Sequence, residues 1–97
     1  MDEAIKKEMK QRNKQLMKIV GKKLRLERNK ALKSIEEVEE DAELGEKHLG
    51  KIERGEIIPL CITYFKICEA INVNGHDLFK EADEELKKRE KRTSSDS

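Results

Sequence analysis

Apolar positions recur at helical spacing almost from the start of this chain. Ile5, Met9, Leu16, Ile19, Val20 and Leu24 fall at steps near three and four, leaving the other faces of residues 2–30 rich in lysine. No proline interrupts that stretch and Gly21 is its only glycine, so the pattern predicts one long helix, or two joined near Gly21. Ser34-Ile35-Glu36-Glu37 then forms a capping box: the serine hydroxyl accepts the Glu37 amide, and the Glu37 carboxylate reaches back to the Ser34 amide. A short helix is expected from about Ile35 to Ala42. After the turn Glu43-Leu44-Gly45, a second short helix is expected from about Glu46 to Arg54, with Gly55 as its left-handed cap. Pro59 suits the start of a fourth helix, buried through Tyr64, Ile67, Cys68 and Ile71. Asn72 to Gly75 is turn chemistry, and a last helix begins near His76 with Leu78, Phe79, Ala82 and Leu86 on one side. Residues 87–97 read as a polar tail with nothing to bury. No strand pattern competes, so the expected fold class is all-α.

Composition narrows what such a bundle can do. With 35% apolar and 44% charged residues, 97 residues support one small helical core, and a pocket-bearing enzyme is not expected. The charge is unevenly placed. Residues 1–33 hold 12 Lys/Arg against 4 Asp/Glu, residues 34–58 hold 3 against 9, and residues 59–97 hold 7 against 8. A +8 block beside a −6 block points to a polyanion, a charge-steered partner or a match between subunits. No apolar run is long enough to span a membrane and no leader pattern opens the chain, so the expectation is a cytoplasmic protein with no membrane partner. Cys61 and Cys68 lie two helical turns apart, roughly 10 Å, too far for a disulfide, and are read as small core side chains. His48 and His76 have no ligand spacing with them or with each other, so neither a metal nor a cofactor is expected. There is no nucleophile–base pair and no phosphate-cradling glycine loop.

From Val20 to Phe79 the chain resembles the Cro/repressor-type (XRE) helix-turn-helix family. The resemblance is carried by "VGKKLRLER", "SIEEV", "LGKIERGEIIP" and "YFKICEAINVNGHDLF". It implies a lambda-repressor-like helix-turn-helix bundle of five helices. Residues 1–18 would be a basic N-terminal helical extension, 19–80 the domain, and 81–97 a C-terminal helix with a disordered tail. It further implies that the third helix enters the major groove of double-stranded DNA with Gly45, Glu46, Lys47, His48 and Lys51 outward. Ser34 and Ile35 would lie near a phosphate and the first base step. Lys22, Lys23 and Arg25, behind Lys14 and Lys18, would follow phosphates. Arg28 and Glu53 would form a structural ion pair fixing the angle of the third helix.

The sequence also departs from that pattern. Ile35 stands where a glutamine is common, Glu39 where a small alanine is usual, and Glu43 where the turn usually has glycine. Glu27 and Lys33 stand at leucine positions, with Leu26 and Leu32 one residue earlier, as a one-residue register change would produce. Glu39 and Glu43 add negative charge beside the presumed groove. The expected function is a sequence-specific transcriptional regulator, a repressor binding paired half-sites as a homodimer, with residues 2–18 or 77–91 forming the dimer face. The alternative is the same scaffold turned to protein–protein contact as an antirepressor, co-regulator or antitoxin-like partner.

Overall fold

The computed structural model describes the backbone of residues 3–95 and the side chains of residues 6–92. Five helices make up its regular structure: α1 (Glu3–Lys30), α2 (Ile35–Asp41), α3 (His48–Glu53), α4 (Cys61–Ala70) and α5 (Gly75–Ser95), with no strand among the described residues. The longest dimension, 45 Å, is set by α1, whose 28 residues span roughly 42 Å at helical rise. α1 packs on α5 and α3, α2 on α3 and α4, and α4 closes on α5.

The core gathers one face from each helix. Val20 and Leu24 of α1, Val38 of α2, Leu49 and Ile52 of α3 and Ile67 of α4 are fully buried. Leu78, Ala82 and Leu86 of α5 join them, and burying a side chain of the larger kind is worth about 1.5–3 kcal/mol. Met17 is buried as well, a position the periodicity did not mark, whereas Met9 is half in water. The Ile5 side chain lies outside the described residues.

α1 does not break at residue 18 or at Gly21, so the expected extension and the first helix of the domain are one element. The glycine has a different task. A Cβ at Gly21 would stand 2.5 Å from the carbonyl oxygens of Ile52 and Glu53, so its absence lets the end of α3 rest on the α1 backbone. Gly55, at φ +73°, closes α3 and lies against Lys18 of α1, where a Cβ would meet the lysine Cα at 2.9 Å.

α5 likewise crosses the expected boundary at residue 80 and stays helical to Ser95, where fraying was expected. Pairs one turn apart support it, Lys87–Asp83 at 3.1 Å and Arg89–Glu85 at 3.0 Å. α1 adds Arg12, which reaches Asp83 at 3.1 Å and Glu90 at 3.3 Å. Bonds from Lys87 and Arg12 hold the Asp83 carboxyl below its usual range. Asn74 caps the start of α5 by accepting the Asp77 amide at 3.0 Å. Tyr64 bridges α4 to this start, donating to the Gly75 carbonyl at 2.6 Å with its ring edge-on to Phe79 at 5.9 Å. Cys68 is buried as expected, but Cys61, at the first turn of α4, is exposed.

Candidate nucleic-acid interface

α3 is six residues long, too short to hold its own shape in water. Its geometry is therefore imposed from outside, at both ends. At the C-terminal end Glu53 is buried and takes two hydrogen bonds from Arg28, from Nε at 2.8 Å and Nη2 at 3.1 Å. The third guanidinium nitrogen donates to the Lys33 carbonyl at 2.9 Å, so the same arginine ties down the loop between α1 and α2. The bond to Glu53 raises the Arg28 pKa further above its ordinary value. The pair implied by the resemblance is thus formed, and its fork-on-carboxylate geometry is the strong kind.

At the N-terminal end the holding group is Glu39 of α2, which is also buried and accepts the Leu49 amide at 3.2 Å. Here the sequence expectation needs correcting. Glu39 is not an added charge on the groove; it faces inward and satisfies one of the amides that a helix start leaves unpaired. The spacing Ile35, Val38, Glu39, Ala42 carried the signal, because a carboxylate on the apolar face of a helix needs an internal partner.

The leucine positions resolve in a similar way. Leu26 and Leu32 are exposed, so no register change brings them into the core. Lys33 occupies the inner place, donating to the Ala70 carbonyl at 2.6 Å and to Asp41 at 3.0 Å. It thereby caps the C-terminal carbonyls of α4 with a cation.

α3 begins at His48, later than expected, because Lys47 adopts the left-handed conformation at φ 66° as its N-cap. Gly45 and Glu46 lie in the turn before it and are exposed. Lys47 and Lys51 are exposed and His48 is half-buried, while Leu49 and Ile52 point into the core as the pattern required. Ser34 forms the complete capping box, accepting the Glu37 amide at 3.1 Å while its own amide donates to Glu37 at 3.2 Å. Ile35 is half-buried against the core, which limits what it can present outward.

Lys22 and Arg25 are exposed, on one stripe with Lys14 and Lys18 at spacings of four, four and three. The stripe passes the end of α3, where Lys18 backs Gly55. Lys23 stands about 100° around the helix from Lys22, turned to α5, with its ammonium 3.5 Å from Glu85.

No protein-family model matches this chain, and no curated protein does.

The acidic segment is mostly committed within the fold. Of its nine carboxylates, Glu39 and Glu53 are bonded internally, and Glu37 closes the capping box. Asp41 meets Lys33, Glu43 lies 3.8 Å from Lys66, and Glu56 meets Arg54 at 2.9 Å. Arg54 also holds the Glu56 carboxyl below its ordinary pKa. Among the described residues only the carboxylates of Glu36, Glu40 and Glu46 in this set have neither a hydrogen bond nor an ion pair. Arg54 is a cation at the end of α3 that sequence reasoning left unassigned. Among the described residues no group of three His, Cys, Asp or Glu side chains is arranged to hold a metal ion, and no helix is long and apolar enough to cross a membrane.

Proposed function

We propose that the chain is a sequence-specific DNA-binding regulator of the Cro/repressor type. In this reading α2 and α3 form its helix-turn-helix, and α3 enters the major groove of double-stranded DNA. The observation that carries it is the way α3 is mounted: clamped by buried carboxylates at both ends, with Lys47, His48 and Lys51 left at its solvent edge. A helix too short to hold its own shape depends on that mount, and a fixed geometry at an exposed edge is what a reading head requires. Lys51 and Lys47 supply donors for base edges or phosphates, and the Ser34 hydroxyl keeps a proton to donate to a phosphate at the start of α2. The stripe of Lys14, Lys18, Lys22 and Arg25 supplies backbone affinity, and pairing of two copies supplies specificity through two half-sites. A cytoplasmic location follows from this role.

The test is a selection from random duplexes with the full chain, followed by titration across salt. Each phosphate neutralised contributes about −0.9 to the slope of log affinity against log salt. Lys22→Ala should flatten that slope by about 1 and weaken all sequences alike, whereas Lys51→Ala should relax preference at one position. Failure of a folded chain to bind any duplex above background at low salt sinks the proposal and leaves protein–protein contact as the use of the scaffold.

A further inference from the structure

Nine consecutive residues, Ile57 to Phe65, carry no charge in a chain that is 44% charged. Ile58, Leu60, Ile62 and Phe65 within that run are 66, 78, 70 and 61% exposed. Cys61 and Phe65 lie one turn apart on α4, and Ile62 and Phe65 three residues apart, so they form one ridge on its outer side. Beside the ridge opens a groove of about 540 Å³ between α1, α4 and α5, walled by Leu16, Met17, Ile58, Cys61 and Phe79. Ridge and groove together put roughly 600 Å² of apolar surface into water, the upper end for the largest patch of a monomer. A standard stable interface takes ~800 Å² from each partner.

Part of each face that the sequence suggested for pairing is engaged within the chain. α1 and the body of α5 lock onto each other through Arg12, Asp83 and Glu90 and through Lys23 and Glu85. Ile19 and Leu86 are buried among them.

We infer that the Ile58–Phe65 ridge and the groove beside it are the surface through which two copies of the chain pair about a two-fold axis. A face without charge gives a charged partner nothing to complement. A ridge next to a groove of the same chemistry is what a two-fold requires, because each copy then offers the other both shapes. Counted over two copies, roughly 600 Å² from each gives about 1,200 Å², the lower end of the range for a stable interface. The inference rests on the proposed function for what the dimer is for, but its test contains no DNA.

Sedimentation equilibrium of the full chain, from about 1 to 200 µM, should show the mass rising from 11.3 kDa towards twice that value. Ile62→Asp with Phe65→Asp should stay at the monomer mass throughout, with helix content and melting like those of dilute wild type. Should the double variant not fold, Leu60→Lys at the solvent-facing cap of α4 carries the same test. The Cys61 thiol gives an independent readout, since it is exposed in one copy and covered in the pair. Its reaction with an aromatic disulfide reagent should slow at least ~fivefold as wild type dimerises and stay constant in the variant. A wild type monomeric across the whole range overturns the inference, and so does a variant that dimerises like wild type. A chain that pairs through this face but binds no duplex removes the proposed function and leaves the pairing surface standing.

Discussion

The two ends of α3 are each held by a buried carboxylate, but the partners differ in kind. At the C-terminal end Glu53 belongs to α3 itself and meets the Arg28 guanidinium through two hydrogen bonds. At the N-terminal end Glu39 belongs to α2 and meets one backbone amide, that of Leu49. Losing either partner of the first arrangement strands a charge in the core. Losing Glu39 strands only an amide, a neutral group that costs less to leave unpaired than a charge. A fixed hinge at the end of α3 and a softer latch at its start are the consequence.

The largest effect should therefore follow from cutting the ion pair. Arg28→Ala or Glu53→Ala should lower the free energy of unfolding by about 3–5 kcal/mol, read from urea denaturation. Replacing both, Arg28→Met with Glu53→Leu, should recover most of that loss, because the cost lies in the uncompensated charge. A single-variant loss below ~1 kcal/mol would remove the contrast between the two ends.

A smaller loss is expected at the latch. Glu39→Ala should cost about 1–2 kcal/mol, the range for a lost helix cap and an orphaned amide, and should speed hydrogen exchange at Leu49. Glu39→Gln keeps an acceptor oxygen in place and should cost less than half as much. Unchanged stability in Glu39→Ala would mean that the start of α3 is not held there at all.

The smallest effect is a gain. Leu32 and Glu43, in the loops on either side of α2, sit at φ 57°, a conformation that carries a steric cost for a residue with a Cβ. Glu43→Gly should raise stability by about 0.5–1 kcal/mol, the relief of strain exceeding the added chain entropy. Leu32→Gly should do the same and remove an exposed leucine. A lower melting temperature in both would show that these side chains contribute contacts outweighing the strain.

Much of this arrangement was legible beforehand. The capping box at Ser34 and Glu37, the inward Leu49 and Ile52, and Gly55 as the end of α3 were all readable from spacing, because each depends on residues within a few positions of one another. The Arg28–Glu53 pair was expected only through resemblance, since nothing local connects residues 25 apart in sequence. Glu39 was misread because its partner is a backbone amide ten residues away, and a backbone amide has no letter in the sequence. Lys33 was misread for the same reason: its acceptor is the carbonyl of Ala70, across the bundle.

The sequence by itself determined that the chain is helical, where most helices begin, and which faces turn inward, since periodicity, caps and turn residues act locally. Tertiary structure alone decided that α1 runs unbroken past Gly21, that most carboxylates of the acidic segment find a partner within the fold, and that α1 and α5 close on each other. The Ile58–Phe65 ridge is left uncovered as a result. Those outcomes depend on which groups meet across the bundle, and desolvation then sets the worth of each charge by the partner it finds there.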